Sequence, residues 1–185
     1  MAETTVKAIQ WGVILGASLI ASVIDVRTRR IPNTLCGPLF LSGLIWSFGH
    51  YGFKGLAEAL AAAVILALPF VLLFIFGGGG AGDAKLTGAV GAWLGIHESF
   101  IALACICIAG GILALVIAIY KRKLKIVLMN TLFLIFDIAR AIMTRRRMIR
   151  RDETAPKELL EKLTIPYGVA IFTGLCAAGG IIWMR

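Results

Sequence analysis

The chain has no Cys-x-x-Cys pair and no cysteine–histidine spacing of the zinc-site kind. Its four cysteines, Cys36, Cys105, Cys107 and Cys176, lie in or beside apolar runs and read as small membrane-buried residues. No metal and no cofactor is therefore expected. Charge is scarce too: 16% of residues are charged, with ten Asp and Glu against nineteen Lys and Arg. A cleavable signal peptide is not expected. Only Lys7 precedes the first apolar run, and that run ends at Asp25 and a basic cluster, where a signal peptide would carry a small-residue cleavage site. No internal repeat interrupts the chain, and residues 1–185 read as a single membrane domain.

What the chain has in abundance is apolar surface. Of its 185 residues 59% are hydrophobic, and the mean hydropathy is +0.92. A soluble domain of this size could not keep that much apolar surface from water, whereas a bilayer favours it. The net charge of +9 would point to nucleic acid in a soluble protein. Here the basic residues fall between apolar runs, so membrane topology explains them and no nucleic-acid partner is expected.

Six apolar runs stand out, at about residues 9–24, 34–48, 56–76, 87–96, 100–120 and 165–184. Crossing a hydrocarbon core of about 30 Å takes about 20 helical residues. The third and fifth runs meet that length, while the fourth is short and glycine-rich and needs part of the preceding segment. The expected fold is an all-α polytopic membrane protein of about six transmembrane helices. Alternating spans puts sixteen of the basic residues on one side and leaves Lys7, Lys54 and Arg185 on the other. The first side is then cytoplasmic, and both termini face outward. Residues 126–143 are apolar but punctuated by Asn130, Asp137 and Arg140, with basic clusters on both flanks. That pattern reads as an amphipathic helical segment in the interface of the last cytoplasmic loop, bound to anionic lipids. As a seventh span it would reverse the side of the last helix.

Two acids fall at cytoplasmic helix ends. Asp25 closes the first run, and Asp83 follows a segment, residues 77–82, in which five of six residues are glycine. Ionisable groups at such depth are costly, which makes them candidates for function. Asp25 alone also reads as a boundary residue paired with Arg27 or Arg29. The glycines alone also read as a flexible break between helices. Glycine additionally lets another chain approach closely, which suits an extended substrate beside an acid. Two carboxyl groups sharing a water tend to hold one proton between them, because both cannot ionise cheaply at a few Å. Such a pair can act as general base and general acid in amide hydrolysis. A small carrier or channel subunit, or a scaffold, could use the same acids for ion binding or not at all. For carrier function, Glu58 is the single candidate relay acid in the outer half.

The sequence from Asp25 through Arg27, Arg29 and Arg30 to Ile31, Pro32 and Asn33 resembles the first aspartate motif of the type IV prepilin peptidases. Gly80, Gly82, Asp83, Lys85 and Leu86 resemble their second, the GxGD signature followed by Lys-Leu. Pro166, Tyr167 and Gly168 resemble the late Pro-Tyr/Phe-Gly element of the family. The resemblance spans essentially the whole chain, in matching order. It implies a membrane aspartic endopeptidase that removes the leader from prepilin-like substrates at the cytoplasmic face of the inner membrane. Asp25 and Asp83 are its implied catalytic acids. Gly80, Gly82, Lys85, Pro166 and Tyr167 are candidates for holding substrate. Lys85 could equally snorkel to the headgroups, and Pro166 and Tyr167 could simply begin a helix at the interface. Family members that also methylate the new N-terminus carry an extra cytoplasmic domain, often with paired cysteines. No such insertion lies between Pro32 and Leu56, so no methyltransferase activity is expected. The compact length resembles the short peptidases of tight-adherence (Flp-type) pili, with archaeal preflagellin peptidases as the alternative.

Overall fold

A computed structural model describes residues 2–77, 80–120 and 167–184. These form four helices and no strand: α1 (Ala2–Thr28), α2 (Asn33–Gly77), α3 (Ala81–Tyr120) and α4 (Tyr167–Trp183). Three contain stretches long and apolar enough to cross a membrane, Thr4–Thr28, Asn33–Ile75 and Ala81–Tyr120. The protein is thus a helical membrane protein. Residues 126–143 and Pro166 lie outside the described residues.

A straight helix of 45 residues would be about 68 Å long at 1.5 Å per residue, twice a hydrocarbon core. Neither α2 nor α3 is straight. Gly52 breaks α2 with φ 61° and ψ −149°, and Gly95 breaks α3 with φ 74° and ψ 175°. Both are backbone conformations that a Cβ disfavours. At Gly52 the chain doubles back so tightly that a Cβ at Gly55 would stand 2.4 Å from the Ser47 carbonyl oxygen. Each long helix is therefore two limbs, 33–51 and 53–77 in α2, then 81–94 and 96–120 in α3.

α1 ends through Arg29, which takes φ 53°. Its N–H donates to the Asp25 carbonyl at 2.8 Å, the single bond of an αL helix cap. Pro32 then holds its preceding residue extended. Its carbonyl accepts the N–H groups of Leu35 at 3.1 Å and Cys36 at 3.4 Å, which starts α2.

One compact unit comprises the chain through Gly111 together with α4. Small residues let its helices approach closely, as is usual where bilayer lipid supplies no hydrophobic drive between them. A Cβ at Gly91 would lie 2.6 Å from the Ala62 carbonyl oxygen. One at Gly174 would lie 2.5 Å from the Ile106 Cα. Polar side chains add cross-helix bonds: Trp93 Nε1 donates to the Leu39 carbonyl at 2.8 Å, and Ser47 Oγ to the Ala92 carbonyl at 3.2 Å. Gln10 Nε2 donates to the Trp93 carbonyl. Residues 112–120 of α3 belong to a second unit.

The contacts give the helix directions. Gly168 meets Asp25 and Gly179 meets Trp11, so α1 and α4 run antiparallel. Gly110 meets Ala170 and Gly174 meets Ile106, so the second limb of α3 runs antiparallel to α4. The first limb of α3 runs antiparallel to the second limb of α2, with Gly88 against Ala67 and Gly91 against Ala62. The ends of α1 and the starts of α2, α3 and α4 consequently gather at one end of this unit.

Candidate active site

Asp25 lies in the last two turns of α1, and 8% of its surface is exposed. Its carboxyl is turned toward α4, where Oδ2 accepts the Gly168 backbone N–H at 2.9 Å. This is not the posture of a boundary acid reaching toward solvent. A Cβ at Gly168 would fall 2.9 Å from Asp25 Cβ, 3.0 Å from its Oδ2 and 3.2 Å from Ser22 Cα. Only glycine lets α4 come this near.

Asp83 occupies the first turn of α3 and is equally buried, at 8% exposed. The sequence pattern put it in a glycine-rich turn before a helix starting near residue 87. The helix in fact begins at Ala81, because the Asp83 N–H already donates to the Gly80 carbonyl at 3.2 Å. Thr87 Oγ1 donates to the Asp83 carbonyl at 2.9 Å, which ties that turn to the next. A Cβ at Gly80 would sit 2.9 Å from Asp83 Oδ2, and one at Gly82 would sit 2.9 Å from Ile31 Cβ. Gly80 thus makes room for the acid, and Gly82 makes room for the segment joining α1 to α2.

The two carboxyl groups are close enough to interact electrostatically, and Asp83 also acts on Tyr167 and Cys36. Acids 58 residues apart in sequence therefore come within electrostatic reach of each other at one end of the bundle. Lys85 is exposed, and its Nζ donates to Asn33 Oδ1 at 2.9 Å. That bond joins the segment after Asp25 to the segment after Asp83. Beside it opens an apolar cavity of about 560 Å³ whose walls include Cys36, Phe40, Ala63 and Ala84. Lys85 and Asn33 are its polar lining residues.

Of the residues singled out from sequence, Asp25, Gly80, Gly82, Asp83, Lys85 and Tyr167 gather here. Glu58, near the start of the second limb of α2, lies toward the other end of that limb and does not. Gly168, Asn33 and Cys36 were not singled out as site residues. Gly168 and Asn33 stood within the quoted motifs, but a glycine's backbone N–H and an asparagine's partner have no sequence signal. Among the described residues no group of three or more His, Cys, Asp or Glu side chains could hold a metal ion.

The family model of the type IV leader peptidases matches residues 12–115, which include both aspartates. The chain belongs to the type IV leader peptidase family. A prepilin leader peptidase/N-methyltransferase of Neisseria gonorrhoeae is 37% identical over 122 residues, 62% of this chain. Those residues make up 41% of that relative, so the chain spans well under half of it. No solved structure matches. The matched stretch of the family model ends before α4, so the Gly168 contact with Asp25 lies beyond it.

Proposed function

We propose that this leader peptidase family member is a membrane-embedded aspartic endopeptidase whose catalytic pair is Asp25 and Asp83. The observation that carries the reading is their juxtaposition: two buried carboxyl groups, one from each motif, interacting at one end of the helices. The ionised member takes a proton from water as the water attacks the scissile carbonyl. The protonated member donates to the carbonyl oxygen, and the roles reverse as the amine leaves. The substrate is a prepilin-like membrane protein, of the Flp type or, as the alternative within the family, a preflagellin. Lys85 and Tyr167 flank the peptide beside the pair.

Six spans carry this site. The breaks at Gly52 and Gly95 support that count, because they divide two over-long helices into four limbs, of which 33–51, 53–77 and 96–120 are of membrane length and 81–94 is shorter. The basic residues put the aspartate end in the cytoplasm and the protein in the inner membrane.

Coexpression with a prepilin bearing its basic leader tests the reading. Wild type is expected to shorten the prepilin on a gel, and Asp25→Asn or Asp83→Asn to leave it intact. Asn keeps the size of Asp and one acceptor oxygen but cannot share the proton. Cleavage retained by either variant removes that residue from the pair. No cleavage of several prepilins by folded wild type rejects the peptidase reading.

A further inference from the structure

An aspartate carboxyl turns easily about its terminal torsion, which is broad and two-fold. A catalytic carboxyl that turns freely presents the wrong oxygen much of the time. We propose that the backbone N–H of Gly168 is a positioning group that fixes the Asp25 carboxyl for catalysis. This rests on Asp25 and Asp83 being the catalytic pair.

Three observations support it. The N–H of Gly168 donates to Oδ2 at 2.9 Å, and the bond is buried. An amide N–H can only donate, so Oδ2 is engaged as an acceptor and Oδ1 remains for the proton exchange of catalysis. Gly168 is the second residue of a 17-residue helix. The N–H groups of a first helical turn have no partner within their own helix, so this one is free to point at Asp25. The approach is also one that a side chain forbids. A Cβ at residue 168 would press on Asp25 Cβ, on Oδ2 and on the backbone of Ser22 within α1.

Asp83 has a parallel arrangement on its own element. Its Oδ2 would lie 2.9 Å from a Cβ at Gly80. Each carboxyl is therefore seated against a glycine. Gly80 is three residues from its acid and held by the same turn, whereas Gly168 is 143 residues from Asp25. The orientation of Asp25 thus depends on α4 being docked, and α4 becomes part of the catalytic apparatus without supplying a catalytic side chain.

The test separates the donor from the space it occupies. Purified wild type in detergent would be compared with Gly168→Ala and with a semisynthetic full chain carrying glycolate at position 168. The glycolate ester keeps the shape of glycine but has no N–H. Misplacing a reacting group by about 1 Å costs about 100-fold in rate. The ester is expected to lower kcat by about that factor, with KM within about threefold of wild type. Gly168→Ala is expected to lose kcat at least as severely, and the ester alone decides the outcome. An ester with wild-type kcat overturns the proposal and leaves the catalytic pair standing. So does an ester whose loss is wholly in KM, because the glycine then serves only to make room for substrate. Failure of wild type itself to cleave removes the catalytic pair, and this inference with it.

Discussion

Among the described residues, Arg29 is the one non-glycine with positive φ. It holds φ 53° in the αL cap of α1, a region that glycine occupies without penalty. A side chain there costs about 1 kcal/mol. Arg29→Gly is therefore expected to raise the thermal midpoint in detergent, by an amount equivalent to about 1 kcal/mol. Arg29→Ala, which removes the charge but not the Cβ, should bring no such gain. Equal midpoints for the two variants would show that the charge, and not the backbone, sets the effect. The strain sits four residues from Asp25, at the bend that carries the chain past Gly82. An arginine at this place also adds to the basic cluster that orients the first helix, which offsets what its backbone costs.

At the scale of the element, helix contact is made by glycine and alanine. The contact of α3 with the second limb of α2 at Gly91 leaves no space: the nearest atoms are the Ala62 carbonyl oxygen and Ala63 Cα, both backbone. Backbone cannot step aside cheaply, so Gly91→Ala should destabilise the fold by about 1–3 kcal/mol. Gly12→Ala, where nothing lies within 4 Å, serves as the control and should not. Thermal unfolding monitored by circular dichroism reads both, and equal midpoints would mean that the two helices are not held at this distance. The same contact places the first limb of α3, and with it Asp83. A loss of stability at Gly91 should therefore bring a loss of cleavage.

For the whole molecule, orientation is the property that charge decides. The proposed six-span arrangement puts sixteen basic residues on one side and three on the other, which predicts a cytoplasmic Asp25 end. Single cysteines placed at Arg30 and Lys54, in a chain whose four native cysteines are replaced by serine, would report it. An impermeant maleimide added to intact cells should label position 54 and spare position 30. Labelling of position 30 alone would invert the topology and put the aspartates outside. The cysteine replacements are themselves acceptable because no described cysteine is disulfide-bonded.

The membrane class, the two acids and the glycine run beside the second were legible in the residues themselves, because hydropathy and motif spacing are local properties of the chain. So were the approximate places of the two breaks, where apolar runs gave way to His50 and Lys54 or to His97 and Glu98. Their location at Gly52 and Gly95 was not legible, since a glycine shows that a bend is possible and not that it occurs. The helical start at Ala81, ahead of the expected position near 87, depended on a backbone bond from Asp83 to Gly80. Only the tertiary structure decided that Asp25 comes within electrostatic reach of Asp83, that Lys85 meets Asn33, and that the Gly168 N–H bonds the Asp25 carboxyl. Each of these joins residues far apart in sequence, and their meeting is fixed by how closely small residues let the helices pack.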